Sequence, residues 1–217
     1  AISLMKRPSF AVLIVCSFLL CIPLAAYYSW GGVFVGDQGI EKIAQTMSYG
    51  QMAEVVFMLL MPLFFAALGA KWMLAVGMLA WVIRYGLFAG AAACDETVMW
   101  MIIGGIALHG ICYDFFFVTG QIYVDKVAPA QVRGQAQGFL VLVTQGLGML
   151  IGAQVAAELV KSSTDTDTGA RDWVTIWIVP CVMAAVFMFA FVALFRDRSS
   201  GTDATLPDPV PEGTPPE

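Results

Sequence analysis

Asp114 stands inside the hydrophobic run from Val98 to Val124, a stretch with no Lys or Arg of its own. At the centre of a hydrocarbon layer an Asp costs roughly 2.5–3.5 kcal/mol to insert, so it is kept where it binds a solute, meets a partner or carries a proton. The partner must come from another helix, from water, or from a bound proton that leaves the carboxyl neutral. Gaining that proton on one side of a membrane and losing it on the other is the chemistry of a proton-coupled carrier. A protonated Asp bonded to a backbone carbonyl is the structural alternative.

Gln51 and Glu54 make a second polar pair. Three residues apart, they share one face of a helix, and Glu54 lies roughly 13 Å below the helix end near Gln45 at ~1.5 Å per residue. By the same rise Arg84 lies about 10 Å from the end of its own helix near Ala91. Equal depth allows an Arg84–Glu54 ion pair, the bland reading of both charges. The Gln51 amide beside Glu54 adds donors and acceptors that a paired arginine does not require, and this points to a ligand instead. His109 and Tyr113 share a face by their i, i+4 spacing, whereas Asp114 points about 100° away from Tyr113. A single His on an apolar helix reads first as a hydrogen-bonded packing residue. No nucleophile, metal cluster or His/Glu pair with catalytic spacing accompanies these groups, so neither an enzyme nor a cofactor nor a metal is expected.

These side chains need helices in lipid to hold them. Hydrophobic residues form 59% of the 217-residue chain and charged residues 12%, against ~25% charged in an ordinary soluble domain. Apolar runs recur six times, at 9–29, 46–69, 72–92, 98–124, 135–160 and 173–195, each long enough to cross a ~30 Å hydrocarbon core. They are apolar all round and not striped. The fold class is therefore an all-α membrane protein, a six-helix bundle over residues 1–198. From Ser199 to Glu217 Pro, Gly, Ser, Thr and acidic residues take over, the composition of a disordered cytoplasmic tail.

With a cytoplasmic N-terminus, seven Lys and Arg residues (6, 7, 71, 126, 133, 196 and 198) fall on the cytoplasmic side and three (42, 161 and 171) outside. That obeys the positive-inside bias and places both termini in the cytoplasm. The net charge of −5 resides largely in outer loops and the tail, which argues against nucleic acid as a partner. Of the five cysteines, Cys16, Cys21, Cys112 and Cys181 fall inside spans and read as buried apolar thiols. Gly32/Gly36, Gly86/Gly90, Gly134/Gly138 and Gly148/Gly152 have the spacing that lets helix backbones approach. Trp72, Trp100, Trp173 and Trp177 suit an interfacial belt. Aromatics near Asp, Glu and Gln also suit a pocket for a flat, hydrogen-bonding solute.

The strings in these spans carry a resemblance. The segment from Tyr113 to Lys126 (YDFFFVTGQIYVDK), the stretch from Ala128 to Gly138 (APAQVRGQAQG), Gln51 to Glu54 (QMAE) and Ala80 to Phe88 (AWVIRYGLF) closely resemble the nucleoside:proton symporter family of the major facilitator superfamily. The likeness covers nearly the whole chain except the tail. It implies a twelve-helix transporter of two six-helix halves, this chain corresponding to the C-terminal half, itself a 3+3 inverted repeat with the solute near the midplane. It also implies a multi-pass protein of the cell inner membrane, with nucleosides, protons, the bilayer and an N-terminal six-helix half as partners. A genuine half-size protein that pairs with itself or another chain is the alternative.

Carried over by position, the resemblance makes Gln51 and Glu54 nucleoside contacts, Tyr113 a wall of the cavity, and Asp114, with Glu54, the site coupled to the proton. Where the family places amide residues in the first span of this half, this chain has Tyr27 to Trp30, so stacking or hydroxyl contacts from Tyr27 and Trp30 are expected instead. The loop from Asp125 to Arg133 resembles a facilitator hinge whose charges latch one state; plain membrane anchoring is its other reading. A facilitator of another polar metabolite and a non-transporting six-helix assembly subunit remain as alternatives.

Overall fold

A computed structural model describes residues 2–196, so the expected tail from Ser199 lies outside the described residues. Five helical elements are long and apolar enough to cross a membrane: Pro8–Asp37, Ile43–Ala92, Met99–Val127, Ala130–Ser162 and Trp173–Leu194. Helix is the form expected of such runs, because it satisfies every backbone N–H and C=O within the segment.

Helix α1 (Pro8–Asp37) follows a 3-10 turn, Ile2–Lys6, and starts with Pro8 in its first turn, where the missing N–H costs nothing. It runs eight residues past the predicted end at 29. Helix α2 (Ile43–Ala92) spans 50 residues. The expected second and third spans, 46–69 and 72–92, are thus joined without a loop. The break between them is a single residue, Gly69, at φ +67° and ψ 174°, a conformation essentially confined to glycine. It divides α2 into limbs 43–68 and 70–92. Between residues 51 and 68 only Met61 is buried, so the first limb turns nearly all of its apolar surface away from the bundle.

The expected 98–124 span is also not one regular helix. It comprises α3 (Met99–Ala107), α4 (His109–Tyr113), a π turn over Asp114–Val118 and α5 (Thr119–Val127). The next element repeats the device, with α6 (Arg133–Val141), a π turn over Leu142–Gly148 and α7 (Met149–Ser162). Each π turn inserts a wide ring into the helical ladder, a feature frequent at functional sites. Helix α8 (Trp173–Leu194) closes the bundle. Its N-cap is Asp172, whose Oδ1 accepts from Thr175 N at 3.1 Å and whose Oδ2 accepts from the Thr175 hydroxyl at 2.6 Å.

The core lies between α1, the second limb of α2 and α8, and large aromatics fill it. Trp81, Trp177, Tyr85, Phe34 and Phe88 are all but fully buried, and Tyr85 stacks on Trp177 with ring centroids 5.9 Å apart. The Tyr85 hydroxyl donates to the Pro23 carbonyl at 2.7 Å, tying α1 to α2 beside a proline. Of the four glycine pairs, Gly148/Gly152 makes the close approach: a Cβ on either would stand 2.7 Å from a Cβ of α1, that of Cys21 or Ala25. Gly134 and Gly138 face open space. Trp173 and Trp177, expected in an interfacial belt, are buried, because both rings pack edge-on against Phe34 in the aromatic core.

At the end of the bundle that carries residues 163–172, Arg171 Nη1 meets Asp37 Oδ2 at 2.8 Å and Trp173 Nε1 donates to the same oxygen at 3.0 Å. The backbone N–H and hydroxyl of Thr168 donate to Asp165 and hold its carboxyl below the usual carboxylate range. At the opposite end Arg7 donates to the Val127 carbonyl at 2.9 Å. There Arg133 Nε lies 3.4 Å from Asp125 Oδ1 with both side chains about half exposed, a surface pair of small energetic weight.

Candidate functional site

Helix α4 brings the polar residues together because its second residue has no side chain. A Cβ on Gly110 would lie 2.6 Å from the carbonyl carbon and oxygen of Ala53 and 2.7 Å from Glu54 N. Its absence lets the α4 backbone touch the α2 backbone beside Glu54. His109, one residue earlier, consequently places Nε2 3.9 Å from Glu54 Oε2. The imidazole is buried, whereas the Glu54 side chain retains 26% exposure, so the carboxylate forms the open edge of the cluster.

Behind His109 lies Arg84, wholly buried, with Nη1 3.1 Å from His109 Nδ1. The Arg84–Glu54 pair that equal depth allows is therefore replaced by a three-member arrangement with His109 in the middle. Depth along two helices is equal, but a third helix inserts its ring between them. The guanidinium carbon sits 3.2 Å from the centre of the Tyr27 ring, and Tyr27 stacks in turn on Phe88. Among the described residues no oxygen or nitrogen accepts from Nε or Nη2 of Arg84.

Three tyrosines surround the imidazole. The rings of Tyr27, Tyr28 and Tyr113 have centroids 5.6, 5.9 and 5.9 Å from it. Tyr27 is buried, Tyr28 exposed and Tyr113 intermediate, so together they line a wall that runs from the interior to the open face. Tyr28 and His109 are members of this cluster that sequence reasoning does not assign to it. Tyr28 carries no signal apart from adjacency to Tyr27, and His109 reads as packing. The i, i+4 relation of His109 to Tyr113 is the available clue.

Asp114 opens the first π turn and is wholly buried. Among the described residues neither carboxylate oxygen has a hydrogen-bond partner, and the Glu54 carboxylate lies within electrostatic reach. Tyr113 lies within electrostatic reach of both carboxylates. Gln51 is exposed one turn before Glu54. Trp30, expected at the same site, is elsewhere: its ring faces the Arg171 guanidinium at 6.0 Å and lines a cleft with Lys161, Thr164 and Asp165. The first helix continues beyond residue 29, which carries Trp30 a turn above the tyrosines. Among the described residues no group of three His, Cys, Asp or Glu could hold a metal ion.

Chemically, the cluster offers a half-open carboxylate acceptor, an exposed amide, tyrosine rings and hydroxyls, and a sequestered carboxyl without a partner. The sequence profile described as Nucleoside H+ symporter matches residues 1–200. The chain is 33% identical over 212 residues to the putative nucleoside transporter YegT of Escherichia coli (strain K12), covering 96% of this chain and 50% of that protein. It is 28% identical over 207 residues to the nucleoside permease NupG of the same organism, covering 90% and 49%. A crystal structure of a NupG mutant superposes with a TM-score of 0.80 at 28% identity, over 90% of this chain and 50% of that one. The chain thus spans about half the length of these relatives.

Proposed function

The chain belongs to the nucleoside H+ symporter family of the major facilitator superfamily, and from that premise we propose that it is the C-terminal six-helix half of a transporter that carries nucleosides with protons by alternating access. The two limbs of α2 count as separate spans in this reading. The membrane is the cell inner membrane and both termini are cytoplasmic. The observation that carries the proposal is the pairing of a half-open Glu54 with a wholly buried Asp114 that has no hydrogen-bond partner.

The two carboxyls divide the work. Glu54, reachable from the open face, accepts hydrogen bonds from the ribose hydroxyls, and Gln51 one turn away offers an amide to ribose or base. Tyr113 and the neighbouring Tyr28 supply ring surface for a flat base, while the expected contact from Tyr27 is not made, since its ring is buried between Arg84 and Phe88. Asp114, in a site without counter-charge, is the group that takes the coupled proton. Its like-charge neighbour Glu54 links occupancy of the solute site to protonation. Trp30 is given no solute contact.

Proton-driven uptake of labelled uridine by the intact transporter, with Asp114→Asn and Glu54→Gln, tests the reading. Asp114→Asn is expected to abolish accumulation against a gradient while solute exchange persists, and Glu54→Gln to weaken uridine binding. Unchanged proton-driven uptake in both variants overturns the assignment.

A further inference from the structure

The arrangement behind Glu54 assigns protons as well as positions. A guanidinium only donates hydrogen bonds, so the 3.1 Å contact from Arg84 Nη1 makes His109 Nδ1 an acceptor. The ring proton then resides on Nε2, the nitrogen that faces Glu54 Oε2 at 3.9 Å. A small rotation of the partly exposed Glu54 carboxylate closes this to a hydrogen bond. Tyr27 covers one face of the guanidinium, and Tyr28 and Tyr113 meet the imidazole on its other sides. The ring is thereby fixed in plane and in tautomer.

We propose that Arg84 and His109 form a buried positioning relay for Glu54: the arginine sets the tautomer of the imidazole, and the imidazole steers one carboxylate oxygen with a neutral N–H. The relay rests on the reading of Glu54 as a nucleoside contact. It explains why a ring stands where equal depth would also allow a direct ion pair. An arginine gripping Glu54 would engage both oxygens in a fork and leave the carboxylate closed to a ligand. An interposed imidazole donates a single bond, so Oε2 is steered and Oε1 stays free for the solute's hydroxyls. The cation remains out of the solute's reach, and its charge acts through the polarised ring. His109 and Arg84 are positioning residues in this scheme, since neither need touch the solute.

The test is a set of uridine uptake measurements on the intact transporter, with rates normalised to the amount of each variant in the membrane. His109→Met removes both the acceptor and the donor and is expected to raise KM about tenfold, the factor for one lost hydrogen bond to a charged group, with little change in the maximal rate. His109→Gln can accept from Arg84 through its carbonyl and donate to Glu54 through its amide, and it should restore KM to within about threefold of wild type. In a Glu54→Gln background, His109→Met should add no further rise. Should His109→Met fail to reach the membrane, Arg84→Met combined with His109→Met leaves no buried cation stranded and carries the same comparison. A KM rise of equal size in both Glu54 backgrounds, or no rescue by Gln, overturns the relay alone. Unchanged uptake by Glu54→Gln by itself overturns the solute site, and the relay with it.

Discussion

Replacing Gly110 with alanine should force apart the backbones of α4 and α2, which now touch. The new Cβ would stand 2.6 Å from Ala53 C and O, against about 3.4 Å for ordinary contact, a shortfall of about 0.8 Å. Neither obstacle is a side chain that can swing away, so α4 and the first limb of α2 must move. Overpacking of this kind costs about 1–3 kcal/mol, offset by at most ~1 kcal/mol from the better helix propensity of alanine. The same displacement acts on the adjacent His109, lengthening its 3.9 Å approach to Glu54 towards ~5 Å, too far for a small rotation of the carboxylate to close to a hydrogen bond. Gly110→Ala is therefore expected to lower the thermal unfolding temperature in detergent and to raise the KM for uridine about tenfold. Gly134→Ala is the control, because a Cβ there meets nothing within 4 Å. A Gly110→Ala protein that melts with wild type and transports with wild-type KM would refute the steric argument and the link from α4 packing to Glu54.

Three other outcomes follow from the geometry. Gly69→Ala adds no clash, since nothing lies within 4 Å, but it forces an L-residue to φ +67°; a loss of roughly 1–3 kcal/mol should appear as a lower midpoint in thermal unfolding. The hydroxyl and backbone N–H of Thr175 hold the Asp172 carboxyl below the usual carboxylate range. That contribution is complete above the unfolded value near 3.9 and fades as pH falls through the folded one, so Asp172→Ala should cost about 1 kcal/mol at pH 7 and progressively less as the medium is acidified below that unfolded value; a loss that does not shrink on acidification would argue against the cap. Tyr85→Phe removes the 2.7 Å bond to the Pro23 carbonyl and should cost about 1 kcal/mol by thermal unfolding, with no change in uptake KM.

Apolar run length locates the helical elements well because lipid leaves the backbone no other way to satisfy its polar groups. Where helices begin, break and widen is less legible. Gly69 is readable as a short connection, yet only its backbone angles make it a one-residue break. The π turns at Asp114 and Leu142 have no residue signature at all, since a widened ring depends on neighbouring helices. The site is legible to the degree that it rests on cost: Asp114, Glu54 and Arg84 are conspicuous as charges in apolar spans. Their partners are not, because depth along a helix leaves rotation about its axis undefined. Arg84 and Glu54 do lie near one another, but His109 from a third helix stands between them. Trp30 shows the same limit, since three residues beyond Tyr27 the helix points it at Arg171.

The limb of α2 that carries Gln51 and Glu54 is, mechanically, a lever. Its fulcrum is Gly69, 15 residues from Glu54, an arm of about 22 Å at ~1.5 Å per residue. Along 51–68 only Met61 is buried in the bundle, and the limb is tied to it by the backbone contact at Gly110 and by the rings of Phe57 and Phe64 against Phe115. A tilt of about 3° at the fulcrum carries Glu54 about 1 Å over that arm, comparable to the roughly 1 Å by which its 3.9 Å approach to His109 exceeds a hydrogen bond. The position of the Glu54 carboxylate would then be set by whatever presses on the outer face of that limb, lipid or protein, and the tilt of one helix would be read out as the closeness of two side chains.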